Sequence, residues 1–239
     1  MKKIIKVVTM ILISLSAVAA FPDAAFSKDK PYVSKKLHYA YITGYSDGSF
    51  RPYEFITRQE AAVIVCRLTD IASDNVYKKF KDVGADNWSY DAVERLYNMG
   101  IISGYDDGSF RPEENITRAE LAVMLYGFTK DNEPKKEFWD LKDHWAKEYI
   151  EKAVAGGWFA GYTDGSFHPN EYITRAEAVF FINYALDRFP EYETDLLEDK
   201  KTFTDVSRDD WFYMAVCEAA NSHECYYRAD ESEIWSLVI

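Results

Sequence analysis

The sequence predicts a mainly α-helical fold of three helix–loop–helix repeats, and three observations carry that prediction. A nine-residue segment recurs three times, a capped helix start follows each copy, and a Phe-x-Asp element with a downstream Trp alternates with them. Such self-similarity is read first, because each unit of a repeat array buries its apolar face mainly against its neighbours.

The chain opens on an address. Lys2, Lys3 and Lys6 precede an apolar run over residues 7–20, and small residues at Ala17 and Ala19 fit cleavage after Ala19, with a cut nearer Ser27 as the alternative. The run is short for a membrane span of about 20 residues. Residues 1–27 are therefore taken as a signal peptide of net charge +2, whose removal takes the chain from −12 to −14.

The recurrent loop reads Gly44-Tyr45-Ser46-Asp47-Gly48-Ser49-Phe50-Arg51-Pro52, then Gly104 to Pro112 and Gly161 to Pro169, at offsets of 60 and 57 residues. Each copy leads into Ile-Thr-Arg-x-Glu, at Ile56 to Glu60, Ile116 to Glu120 and Ile173 to Glu177. The alternating element runs from Phe80-Lys81-Asp82-Val83 to Trp88, from Phe138-Trp139-Asp140-Leu141 to Trp145, and from Phe203-Thr204-Asp205-Val206 to Trp211. A helical pattern follows each Trp, with Gly100 and Gly157 as C-terminal stops. Linkers fall at 70–79, 129–137 and 187–202. The first copy lacks the Phe-x-Asp-Val element, having only a short helix-like lead over 31–41. The chain ends instead with an extra half copy, and residues 222–239 look like an interrupted fourth repeat. The expected layout is a signal at 1–27, repeats at 28–75, 76–133 and 134–198, and a partial repeat with a divergent tail at 199–239.

Composition narrows the function. Net charge −12 opposes nucleic acid and anionic lipid, which need clustered Lys and Arg. Hydrophobic residues at 48% allow a packed core. Cys66, Cys217 and Cys225 form no disulfide framework and no CxxC pair. Cys66 reads as a buried thiol, and the pairing of Cys217 with Cys225 is left open.

Thr57 with Glu60, Thr117 with Glu120 and Thr174 with Glu177 make capping boxes, each with a preceding Ile as a staple. Capping explains the Ile, Thr and Glu in full. It leaves Arg58, Arg118 and Arg175, which sit at the first helical position, where a cation opposes the helix dipole. Two readings stand: an anion site built from the guanidinium and free helix-start amides, which is preferred, and a structural pair with a nearby carboxylate. The Asp-Gly pairs read as tight turns. As EF-hand loops they would place Glu54, Glu114 and Glu171 at position 12, but positions 1 and 3 (Thr43/Tyr45, Ser103/Tyr105, Ala160/Tyr162) lack carboxylates, so calcium loops are rejected. Trp88, Trp145 and Trp211 read first as core anchors and second as carbohydrate platforms. No nucleophile, HExxH, GxSxG or P-loop signature is present, so no enzyme, metal or cofactor is expected.

The alternation of Phe-x-Asp-Val…Trp with Gly-Tyr-x-Asp-Gly-Ser-Phe-x-Pro…Ile-Thr-Arg-x-Glu closely resembles the S-layer homology domain of bacterial cell-surface proteins, over about residues 37–221. The resemblance implies a pseudo-threefold arrangement with a central helical bundle. It implies an exported protein at the cell wall or S-layer, bound non-covalently to an anionic, pyruvylated secondary cell-wall polysaccharide, with other surface proteins as further partners and no membrane insertion after signal cleavage. It places Arg58, Arg118 and Arg175 in grooves between repeats. Asp47, Gly48 and Ser49, Asp107, Gly108 and Ser109, and Asp164, Gly165 and Ser166 would border those grooves, with Trp88, Trp145 and Trp211 closing them. Gln59 replaces the usual Ala, and His168 the usual Arg, which favours the middle groove. A scaffold acting through protein contacts is the alternative.

Overall fold

The Ile-Thr-Arg-x-Glu segments open helices where the capping pattern predicts them. A computed structural model describes residues 35–69, 80–128, 136–228 and 230–239. Among them are six α-helices: α1 (Arg58–Arg67), α2 (Tyr90–Asn98), α3 (Arg118–Leu125), α4 (Lys147–Gly156), α5 (Arg175–Ala185) and α6 (Tyr213–Ala220). In front of α1, the Glu60 amide donates to Thr57 Oγ1 at 3.3 Å while the Thr57 amide donates to Glu60 Oε2 at 2.8 Å, which is the reciprocal cap. Thr117 with Glu120 and Thr174 with Glu177 repeat it. No helix among the described residues is long and apolar enough to cross a membrane. The signal and the linkers at 70–79 and 129–135 lie outside them.

Residues 51–178 form one compact unit, and the two ends, up to residue 50 and from 179 onward, form another. In the first unit the three stapling isoleucines do more than cover a cap. Ile56 N–H donates to Ile173 C=O (3.1 Å), Ile173 N–H to Ile116 C=O (3.2 Å) and Ile116 N–H to Ile56 C=O (3.0 Å), which closes a ring. All three side chains are fully buried. The ring also settles the free helix-start amides. Those of Arg58 and Gln59 donate to the carbonyls of Glu114 and Pro112, at 2.8 and 2.9 Å. Arg118 and Ala119 donate to Glu171 and Pro169, and Arg175 and Ala176 to Glu54 and Pro52. With the third amide taken by Thr, none of these three helix starts offers a free N–H nest, so the expectation of free amides there is corrected. In this unit α1 packs on α2 and α3, and α3 packs on α4. Helices α1 and α3 are buried on most sides. Only one face of α2 and α4 is covered, by way of Val93 and Leu96 and of Ile150 and Ala153.

The Phe-x-Asp element clamps the recurrent loop. A Cβ on Gly104 would stand 2.3 Å from Phe80 and one on Gly161 2.1 Å from Phe138, so the loop's leading glycine is dictated by the ring packed on it. The Asp carboxylate then takes the loop's closing amides: Asp82 accepts from Phe110 and Arg111 (2.8 and 2.7 Å), Asp140 from Phe167 and His168 (2.9 and 2.7 Å).

In the second unit the same clamp closes the first loop, and its parts come from the far end of the chain. Phe203 packs where a Cβ on Gly44 would stand 2.3 Å away, Asp205 accepts from the Phe50 amide at 2.7 Å, and the Thr204 amide donates to Gly48 C=O at 3.0 Å. The extra half copy thus clamps the first loop. The lead and the tail also depart from expectation. Residues read as a helix-like lead form β1 (Lys35–His38), and the divergent tail forms β2 (His223–Tyr227) and β3 (Glu233–Val238). They pair antiparallel in the order β1-β2-β3, with His38 opposite His223 and a bulge between Glu224 and Cys225. The fold is therefore mostly helical with one small sheet.

Under that sheet lie His38, Glu218, His223, Cys225, Glu233 and Trp235, all buried. Burial, and then the neighbouring Glu218 carboxylate, push the Glu233 carboxyl up to about 10. All three cysteines are free thiols, and Cys66 is half-buried rather than buried.

Candidate functional site

Arg58 leaves the first turn of α1 and enters a cleft of about 580 Å³ in the 51–178 unit, lined also by Tyr105, Asp106, Glu120, Met124 and Trp145. Arg58 is 5% exposed. Its Nε donates to Phe110 C=O at 2.8 Å, and Nη1 donates to Glu120 Oε1. The Tyr105 ring stands 4.9 Å from it, and the Tyr105 hydroxyl donates to the same Glu120 oxygen at 3.1 Å. Glu120 therefore has two tasks, since Oε2 caps its helix while Oε1 holds an arginine from the preceding repeat. The expectation that capping explains the glutamates in full is corrected on this point.

The pattern recurs with variations. Arg175 Nη1 donates to Glu60 Oε1 at 3.0 Å. Arg118 donates through Nε to Phe167 C=O and through Nη2 to Ala160 C=O, both at 3.0 Å, with Tyr162 5.3 Å from its guanidinium. Burial lowers Arg118 below its usual range, against the acidic groups of Tyr162 and Glu177. Burial also raises the Tyr105 and Tyr162 hydroxyls. Arg58 and Arg175 thus make the structural pair with a carboxylate that the second reading expects, and Arg58 also lines the cleft. The His168 departure keeps its packing: His168 stacks on Tyr162 at 4.3 Å, as Arg111 lies over Tyr105 at 3.8 Å.

The tryptophans are not core anchors. Trp88 is 61% exposed, Trp145 63% and Trp211 38%. Each stands just ahead of its helix, where Val93, Ile150 and Val216 fill the core instead. Trp145 lines the cleft, and Trp211 meets Phe180 edge-on at 5.5 Å.

The Asp-Gly-Ser triplets turn the loop rather than line the cleft. Asp47, Asp107 and Asp164 each accept from the amide and hydroxyl of Ser49, Ser109 and Ser166, at 2.9 Å and between 2.5 and 2.6 Å. Gly48, Gly108 and Gly165 take φ near +80°, the left-handed turn position. The cleft uses the residues just before the triplet, Ser103 to Asp106, which the sequence reading passed over. Tyr105 was nonetheless visible as a repeat position, matched by Tyr45 and Tyr162.

The Ser109 hydroxyl and amide, with Lys81, hold the Asp107 carboxyl well below its ordinary value, and the Ser166 hydroxyl and amide lower Asp164. A depressed carboxylate supports the turn above its unfolded value of 3.8 and loses that support as pH falls through the folded value. Ser109→Ala should move the Asp107 titration upward, so the loop loosens at a higher pH on acidification. Carboxyl NMR of the two proteins checks this, and an unmoved Asp107 midpoint would refute the assignment.

The S-layer homology domain model matches residues 20–62, 79–122 and 137–179 of this chain. The chain belongs to the S-layer homology domain family. Its S-layer homology (SLH) matches cover all three Thr-Arg-x-Glu helix starts and all three recurrent loops, whereas the half copy that closes the first loop lies beyond the last match. The chain is similar to Cell surface glycoprotein 1 of Acetivibrio thermocellus, 39% identical over 82% of this chain and 9% of that protein. It is similar also to the Cellulosome-anchoring protein of the same organism, 36% identical over 82% of this chain and 44% of that protein. The Surface-layer 125 kDa protein of Lysinibacillus sphaericus is 34% identical over 67% of this chain and 14% of that protein. The SLH chain thus spans less than half the length of each of these relatives.

Proposed function

We propose that this SLH protein is exported and attaches non-covalently to the bacterial cell wall, by binding an anionic secondary polysaccharide that carries pyruvate ketals. The observation that carries the proposal is the cleft that gathers a buried arginine, a tyrosine and an exposed tryptophan in one concave surface. A carboxylated sugar fits that set: the indole offers a stacking face, and the guanidinium offers a donor fork for a carboxylate. Arg58 engages only Nε and Nη1 with the protein, and Nη2 still carries donors. At net charge −12 the surface as a whole repels a polyanion, so recognition rests on discrete sites. The names of two relatives, a surface-layer protein and an anchoring protein, agree with this reading. The ring of isoleucine hydrogen bonds supports the pseudo-threefold arrangement of repeats 28–75, 76–133 and 134–198. Three equivalent clefts would add avidity. The protein is read as a binding module with no chemistry of its own.

The buried Arg–Glu pairs favour one rival, a scaffold in which the arginines are purely structural. Co-sedimentation with purified Gram-positive walls, before and after acid removal of the secondary polysaccharide, separates the two. Trp145→Ala, at a 63% exposed position, leaves the fold intact and should cut wall retention about tenfold, a loss near 1.4 kcal/mol. Retention that survives both stripping and Trp145→Ala would transfer the role to protein contacts.

A further inference from the structure

The cluster beneath the sheet joins the two ends of the described chain, through His38 on β1, Glu218 on α6, His223 and Cys225 on β2, and Glu233 on β3. One ligand atom from each of His38, His223, Cys225 and Glu233 can be chosen so that all four lie within 4.8 Å of one another, and every one of these residues is buried. His38 Nδ1 is 3.3 Å from Glu233 Oε2 and 3.9 Å from Cys225 Sγ. A tetrahedral zinc with nitrogen, oxygen and sulfur ligands has edges of about 3.3–3.8 Å, so the widest separation needs to close by about 1 Å.

The imidazoles are already turned for coordination. His223 Nδ1 lies 3.0 Å from the Asn221 carbonyl, a bond in which only Nδ1–H can donate. That turns Nε2 into the cluster. There Nε2 faces Glu218 Oε2 at 3.1 Å. His38 Nε2 has the Tyr227 hydroxyl at 3.1 Å, and Nδ1 faces inward, 3.2 Å from Glu218 Oε1. Both carboxylate oxygens of Glu233, a fully buried residue, are without a hydrogen-bond partner. Glu218 has an outer partner, since Trp235 Nε1–H donates to its Oε2 at 3.1 Å. Two buried carboxyl groups and two imidazoles thus converge on one point, an arrangement that a protein interior tolerates only where the groups are paired or neutralised.

We propose that His38, His223, Cys225 and Glu233 form a structural zinc site that fastens the start of the chain to its tail, with Glu218, Tyr227 and Asn221 orienting the ligands. A closed four-ligand site without an open position is structural rather than catalytic. Coordination replaces the Cys225 thiol proton and any proton on the Glu233 carboxyl, which leave to solvent, and thiolate with the Glu233 carboxylate balances the divalent charge.

The test is Co²⁺ added to the full metal-free chain, followed by Zn²⁺ competition. The expected result is a thiolate-to-cobalt charge-transfer band with intense tetrahedral d–d absorption, saturating at one metal per chain and bleached by Zn²⁺. Cys225→Ser should abolish the charge-transfer band and Cys66→Ser should keep it. Zn²⁺ should raise the melting temperature of the unmodified chain and of Cys66→Ser, with the chelator EDTA reversing the rise. Absence of the band from the unmodified chain overturns the proposal even where Cys225→Ser fails to fold. So does a band that persists in a folded Cys225→Ser, which would make the cluster a proton-sharing His–Glu network.

Discussion

Replacing Glu120 by alanine should destabilise the protein by about 3–5 kcal/mol, because it strands the Arg58 guanidinium without its carboxylate in a site 5% exposed. The residue serves two partners from one side chain. Its Oε2 accepts from the Thr117 amide and hydroxyl, and its Oε1 accepts from Arg58 and from Tyr105. Glu120→Gln separates the tasks, since a glutamine at the third helical position still completes a capping box but brings no charge. Glu120→Gln should therefore lose most of what Glu120→Ala loses, the difference being a cap contribution of about 1 kcal/mol. Arg58→Met in the Glu120→Gln background should restore part of the loss, because deleting both charges removes the uncompensated burial. Urea unfolding with unchanged slope measures all three. A Glu120→Ala loss below about 1 kcal/mol would put the pair in the class of screened surface contacts and leave the arginine to a ligand alone.

Whatever the chain encodes within four residues was legible in its sequence. The capping boxes, the Asp-Gly turns and the glycine stops are local chemistry, and each appears where its residues stand. The arginine's partner is not local. Glu120 lies 62 residues from Arg58 and Glu60 lies 115 from Arg175, and no spacing rule connects them. A glutamate whose cap already accounts for it gives no sign of a second bond. The tryptophans misled for a related reason, since an aromatic before a helix fixes neither the face it takes nor its burial. Strand β1 is four residues long, Lys-Lys-Leu-His, too short for alternation to register, and its pairing partner lies at the other end of the chain. The buried cluster was hidden in the same way. His38 and Cys225 are 187 residues apart, and the expectation of no metal rested on the absence of local ligand spacings.

Phe203→Ala should cost about 3–5 kcal/mol and should act on the opposite end of the chain from the one it alters. Phe203 is 8% exposed, packs on Phe50 at 5.2 Å and covers Gly44, while Asp205, two residues on, takes the Phe50 amide. Among the described residues the first recurrent loop is clamped by Phe203 and Asp205, with no Phe-x-Asp element ahead of it. Hydrogen exchange localises the effect: in Phe203→Ala the amides of Tyr45 and Gly48, bonded within that loop, should lose protection. The matching amides of Tyr105 and Gly108 have Phe80 as their own clamp and should keep theirs. Phe80→Ala should reverse the pattern. Were Phe203→Ala to deprotect both loops equally, the half copy would be a general contributor to stability rather than the missing part of the first repeat. Loss confined to the first loop would mean that the repeat at the start of this chain is completed only when its last forty residues have been made, so folding of the second unit waits for the tail.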